Sequence, residues 1–225
     1  MHNPIIVALD VDSAEEARAI VAALGSSVSF YKVGLELYAA AGMDFVRELS
    51  GAGNQVFLDL KLYDIGETVK RAVRQIAKSG VRFLTIHTPV SVMNAAVEGR
   101  GDSSLQLLGV TVLTSFDRSD LADRGCSAPV AEVVADRAQK AMAAGVDGIV
   151  CSPLEAAMVR RIAGPKAIIV TPGVRSAGSG HGDQKRVATP AEAIRDGANY
   201  LVIGRQITRA ADPAAEARSI LEEFI

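Results

Sequence analysis

The chain alternates short, continuous apolar runs with longer stretches in which apolar residues recur every three or four positions. Runs of the first kind read as buried strands and the second as helices with one buried face. Ile5 to Asp10 is the first run, and Ser13 with Glu16 forms the capping-box pattern that opens a helix carrying Ala17, Ile20, Val21 and Leu24 on one side. Phe30 to Gly34 is the second strand, followed by a helical stretch from about Tyr38 to Leu49 and a turn at Gly51-Ala52-Gly53-Asn54. Strand three covers Gln55 to Lys61, and the helix after it buries Val69, Ala72, Val73 and Ile76 before Gly80. Strand four is Phe83 to His87, with Thr88-Pro89 placed to cap the next helix and supply its first residue.

The same unit recurs to the C-terminus. Leu105 to Thr114 is strand five, and a polar connection from Ser115 to Pro129 leads to a helix with Val130, Val133, Val134, Ala138 and Ala141 on one side. Gly148 to Cys151 is strand six, and Ser152-Pro153-Leu154-Glu155 carries a capping box. Ala167 to Thr171 is strand seven. The connection after it, Gly173 to Arg186, is too long, polar and glycine-rich for a plain link and reads as a lid over residues 174–188. Thr189-Pro190-Ala191-Glu192 opens the next helix, Tyr200 to Ile203 is strand eight, and Asp212-Pro213 starts a last helix with Ala217, Ile220, Leu221 and Phe224 buried. Strict alternation of strand and helix demands a parallel sheet covered by helices. Eight such units, with no glycine-rich dinucleotide fingerprint after strand one, predict a single α/β domain over residues 1–225, a closed (β/α)8 TIM barrel.

Charge narrows the function. A formal net charge of −2, with no run of five or six like charges, offers no footprint for nucleic acid or a membrane surface. No apolar run approaches the ~18 residues that span a bilayer, and the first residues lack the pattern of an export signal. Two cysteines, Cys126 and Cys151, fit a reducing compartment and argue against a zinc site, so a cytoplasmic protein is expected.

The candidate chemistry gathers at strand ends, where such barrels keep their active sites. Asp59-Leu60-Lys61 ends strand three inside an otherwise apolar run, and period-two alternation aims Asp59 and Lys61 the same way. Asp64 follows three residues later, past the strand end, where it can face away from its own site. An ammonium beside a carboxylate is suited to act as an acid. The alternative reading of the same residues is an ion pair plugging the barrel rim. Asp10, Lys32, His87, Thr114, Cys151, Arg175, Gly204 and Arg205 end other strands, so charge converges on one mouth from at least five of them. Gly204-Arg205 after strand eight suits a phosphate, with Arg175 and Gln184 on the lid able to complete the cradle. His87 reads as a wall residue, since no second and third metal ligands accompany it.

With these residues in place the chain resembles the orotidine 5′-monophosphate decarboxylase family across essentially its whole length. The likeness rests on Ala8-Leu9-Asp10, Tyr31-Lys32-Val33-Gly34, Asp59-Leu60-Lys61 through Asp64-Ile65 and Thr68, Val112-Leu113-Thr114-Ser115, Thr171 to Arg175, Gly182 to Arg186 and Gly204-Arg205. The resemblance implies that Lys61 protonates C6 of the pyrimidine as carbon dioxide leaves, with Asp59 facing the departing group. It implies that Lys32 and Asp64 complete a charge array, Asp64 and Thr68 coming from the other subunit of a homodimer with shared sites. It further implies that Asp10 and Lys32 hold ribose hydroxyls, Thr114 lies by the pyrimidine, Arg175, Gln184, Gly204 and Arg205 hold phosphate, and no cofactor or metal is used.

Two departures stand out: Tyr63-Asp64-Ile65-Gly66-Glu67-Thr68 where the family often has His-Asp-Ile-Pro-Asn-Thr, and Thr88-Pro89-Val90 in place of a glycine pair. The runner-up is the related 3-keto-gulonate-phosphate decarboxylase and hexulose-phosphate synthase type, which shares Asp64-Ile65-Gly66 but uses magnesium and has a carboxylate at the position of Lys32. A phosphate-binding barrel without catalysis is the remaining alternative.

Overall fold

The computed structural model describes residues 3–176 and 188–224, so Gln184 and most of the expected lid lie outside the described residues. Eight parallel strands close into a barrel in sequence order: β1 (Ile5–Ala8), β2 (Phe30–Gly34), β3 (Gln55–Leu62), β4 (Phe83–His87), β5 (Gln106–Val110), β6 (Gly148–Val150), β7 (Ile168–Pro172) and β8 (Tyr200–Ile203), which pairs back with β1. The helices between them are α1 (Ala14–Leu24), α2 (Leu35–Gly51), α3 (Gly66–Ile76), α4 (Val90–Arg100), α5 (Arg118–Ala122), α6 (Val130–Ala143), α7 (Ala156–Ala163), α8 (Pro190–Arg195), α9 (Arg205–Thr208) and α10 (Pro213–Glu222). Among the described residues no helix is long and apolar enough to cross a membrane.

Every strand faces two cores, which is why the runs are apolar without interruption. Outward residues such as Val7, Val33, Leu58, Leu84 and Ile86 pack with the helices. Inward ones, Ile6, Ala8, Phe30, Phe57, Phe83, Leu108, Val170, Tyr200 and Val202, fill the barrel. Four aromatic rings close its lower end: Phe30, Phe57, Phe83 and Tyr200 meet edge-on or tilted with centroids 5.1 to 6.0 Å apart. Arg82 seals this layer. Its guanidinium lies 4.9 Å from the Phe83 ring centroid, 5.4 Å from Phe30 and 5.3 Å from Tyr200, and it donates to the Tyr200 hydroxyl at 2.6 Å.

Differences from the sequence expectation are local and have physical reasons. Strand five stops at Val110, and the polar connection after it contains α5, which is capped by Asp117 accepting from Ser119 and Asp120 N–H groups. Pro89 stands at the N-cap of α4 instead of its first turn, and Thr88 is spent donating to the Val110 carbonyl. Helix α2 starts earlier, at Leu35, and is broken at Gly42, whose φ of +63° no helix allows. Ser152 caps only a short 3-10 turn at Pro153–Glu155, whereas Thr189 and Glu192 form a full capping box on α8.

Candidate active site

The upper halves of the inward rows carry the polar residues. Two steps along β2 from Phe30 comes Lys32, and two steps along β3 from Phe57 comes Asp59, so the alternation that buries the aromatic layer also aims both charges at the barrel axis. They line one cavity of about 550 Å³ at the C-terminal ends of the strands, together with Asp10, Lys61, Thr114, Ser115, Arg175, Gly204 and Arg205. Eight expected site residues therefore meet at one mouth: Asp10, Lys32, Asp59, Lys61, Thr114, Arg175, Gly204 and Arg205. Cys151 is buried in its wall and His87 is not part of it.

Asp59 is the centre of the charge array. Lys61 Nζ donates to both of its oxygens at 2.9 Å, and Lys32 Nζ lies 3.9 Å away while holding Asp10 at 2.6 Å. Burial alone would raise the Asp59 carboxyl, but the Lys32 and Lys61 charges, with hydrogen bonds from Lys61 and Thr85, outweigh it and hold the group below its ordinary value of 3.8. Gly34 makes room for this arrangement: a Cβ there would lie 2.9 Å from Lys32 Nζ and 3.0 Å from Asp10 Oδ1. At the opposite side, α9 begins at Arg205 directly after Gly204, beside the loop that carries Arg175 from the end of β7.

Asp64 and Thr68 are not brought to this cavity within the chain. Both are exposed, and Asp64 Oδ1 accepts the Ile65 N–H at 2.6 Å. Their apolar neighbours Tyr63 and Ile65 are 69% and 76% exposed. His87 sits at the end of β4 in the wall of a second cavity of about 400 Å³, in edge contact with Tyr63, and burial with the charges of Arg137, Lys61 and Arg124 holds its imidazole below 6.5. Among the described residues no three His, Cys, Asp or Glu side chains gather as a metal site.

Sequence reasoning missed Thr85, which is fully buried and hydrogen-bonded to both Asp59 and Lys61, and missed Glu36 and Arg209 in the cavity wall. Thr85 follows Phe83 by two on β4, so the inward row already pointed to it. It also misjudged how Lys61 reaches Asp59: the backbone of Lys61 has φ +49°, outside strand geometry, so the alternation does not extend through it.

The sequence model of the orotidine 5′-phosphate decarboxylase / HUMPS family matches residues 3–220. The chain belongs to this family. A Rhodopseudomonas palustris (strain BisB5) protein named orotidine 5′-phosphate decarboxylase is 53% identical over 223 residues, 99% of this chain and 95% of that one. A protein of the same name from Bradyrhizobium sp. (strain ORS 278) is 52% identical, covering 98% and 90%. The crystal structure of the Lactobacillus acidophilus orotidine 5′-phosphate decarboxylase superposes with a TM-score of 0.88 at 37% identity, covering 99% of both chains. The matched span thus takes in the whole barrel and the residues that line the cavity.

Proposed function

We propose that this chain decarboxylates orotidine 5′-monophosphate to uridine 5′-monophosphate and carbon dioxide in pyrimidine biosynthesis, in the cytoplasm and without metal or organic cofactor. The observation that carries the reading is the Asp59 carboxylate held between two ammonium groups, Lys61 at 2.9 Å and Lys32 at 3.9 Å, at the floor of the mouth in a chain of this family. The C6–carboxylate bond breaks, its electron pair stays on C6, carbon dioxide departs, and Lys61 Nζ delivers the proton that completes the new C–H bond. A ring carbon that gains charge with little delocalisation benefits most from a fixed cation already in place, because that stabilisation is greatest in the transition state. Asp59 is ionised and faces the departing carboxylate, a repulsion relieved as carbon dioxide leaves.

The remaining residues serve binding. Arg175, Gln184, Gly204 and Arg205 hold the phosphate, where a guanidinium forks onto two oxygens; Asp10 and Lys32 hold the ribose hydroxyls; Thr114 lies by the pyrimidine. Phosphate binding far from C6 supplies binding energy that helps to assemble the charged floor. Asp64 and Thr68 serve the neighbouring subunit of a homodimer. The exposed Tyr63 and Ile65 beside Asp64, with Leu35 at 61% exposure after the adjacent strand, supply an apolar rim for that contact.

The magnesium-using branch of the family is disfavoured by Lys32, which puts an ammonium where a divalent cation would need a carboxylate. The deciding assay follows the loss of orotidine monophosphate absorbance in excess chelator. Undiminished turnover is expected; loss on metal removal, restored by magnesium, would move the chain to the other branch.

A further inference from the structure

Strands β3 and β4 pair in parallel, Phe57 beside Phe83, Leu58 beside Leu84 and then Leu62 beside Ile86. Between the last two pairs β3 advances by four residues and β4 by two, so Asp59, Leu60 and Lys61 stand opposite Thr85 alone. Such an irregularity removes ladder partners from the bulged strand and re-aims its side chains. It also leaves Lys61 as the only non-glycine with positive φ among the described residues. A buried N–H in that position needs an acceptor from somewhere other than the ladder.

Thr85 supplies it. Its side-chain oxygen accepts the Lys61 N–H at 2.9 Å and donates to Asp59 Oδ1 at 2.8 Å. A hydroxyl has one proton, so with a backbone N–H aimed at the oxygen, that proton is committed to the carboxylate. The residue is fully buried and does not line the cavity, so it cannot touch a ligand there.

We propose that Thr85 is a positioning residue of this active site: one hydroxyl ties the carboxylate that faces the departing group to the backbone of the lysine that delivers the proton. The proposal rests on the decarboxylase reading above. Without the hydroxyl, Asp59 keeps its ion pair but loses one of the contacts that fix its rotation, the one from a rigid buried strand, and the Lys61 peptide loses its acceptor. Both reacting side chains then wander relative to C6, which costs turnover and leaves the phosphate and ribose contacts untouched.

Thr85→Val keeps the shape and removes the hydroxyl, and Thr85→Ser keeps the hydroxyl and removes the methyl. Loss of one hydrogen bond to a charged group predicts a kcat lowered by about tenfold to a hundredfold in Thr85→Val, with KM within about threefold. The Asp59 carboxylate also loses a donor that favours its ionised form, so the Asp59-dependent acid limb of the kcat/KM profile, which in the wild type lies below the ordinary carboxylate range, should move to higher pH. Among the described residues, Lys32 from β2, Lys61 from β3, His87 at the end of β4 and Asp10 behind Lys32 are the charged and titratable groups around it, and none changes in the variant. Thr85→Ser should restore both kcat and the acid limb. If Thr85→Val does not fold, Thr85→Ala against Thr85→Ser makes the same comparison. A kcat within twofold of wild type in the hydroxyl-less variants, an unmoved acid limb, or a serine variant as slow as the valine one overturns the proposal. A wild-type chain that does not consume orotidine monophosphate overturns the decarboxylase reading instead.

Discussion

Replacing Lys61 by alanine and, separately, by glycine tests the chemistry and the backbone at one position. Both variants lose the ammonium and leave Asp59 with Lys32 at 3.9 Å and the Thr85 hydroxyl, so the cost of that loss is common to them and cancels. What differs is the backbone. At φ +49° a residue with a Cβ carries about 1–2 kcal/mol of strain that glycine does not, against about 0.5–1 kcal/mol of extra chain entropy that glycine gives up on folding. Lys61→Gly should therefore be more stable than Lys61→Ala by about 1 kcal/mol, or roughly 2–4 °C in Tm for a chain of this length. In an ordinary strand the order is the reverse, which makes the sign the result to read. Thermal unfolding of both variants at one protomer concentration measures it, since the stability of the proposed homodimer would depend on concentration. The absorbance assay on the same samples should show decarboxylation abolished in both. An alanine variant as stable as the glycine one would refute the bulged geometry. A variant with a tenth of wild-type turnover has lost only about 1.4 kcal/mol of transition-state stabilisation, which would refute Lys61 as the acid.

Arg205→Ala should weaken phosphate binding and mainly raise KM; an unchanged KM removes Arg205 from the phosphate site. Gly34→Ala should drive Lys32 off Asp10, because the new Cβ would lie 2.9 Å from its Nζ, and lower kcat/KM by at least tenfold with little change in Tm. As pH falls from neutral to about 5, kcat/KM should show no loss attributable to Asp59, whose depressed value keeps it ionised until the pH drops below the ordinary carboxylate range; a limb that follows Asp59→Asn in that window would contradict it. Refolding equal amounts of Lys61→Ala and Asp64→Ala chains together should recover about one quarter of wild-type activity, because half the dimers are mixed and each has one intact site of two. Recovery no greater than the average of the separate variants, with mixed dimers confirmed by mass, would assign Asp64 to its own chain's site.

The barrel was legible because its strands are buried on both faces and so appear as unbroken apolar runs; β2, β4 and β8 fall on the residues that the pattern alone marks out. Lys32 and Asp59 were legible for the same reason, since each interrupts such a run at an inward position. The end of β5 was not, because Val112 and Leu113 stay apolar after the ladder has stopped, lining the cavity wall instead. Nor was the geometry of Lys61: period-two alternation aims it beside Asp59, and the two do meet, but through a bulge that only the pairing with β4 reveals. Thr85 is a threonine among apolar neighbours, ordinary in a strand, and its importance lies in what stands across from it. For Asp64, one chain can display exposure but not the surface it faces.

Among the described residues, the ring layer sealed by Arg82 closes the lower end of this barrel as a dead end. In the proposed reaction a gas molecule released above Asp59 meets that layer beneath it and leaves by the doorway through which the nucleotide came. Water faces the same restriction on its way in. In the proposed reaction the proton that Lys61 gives up is replaced from the mouth side, so resetting the lysine for another cycle depends on the nucleotide vacating that passage.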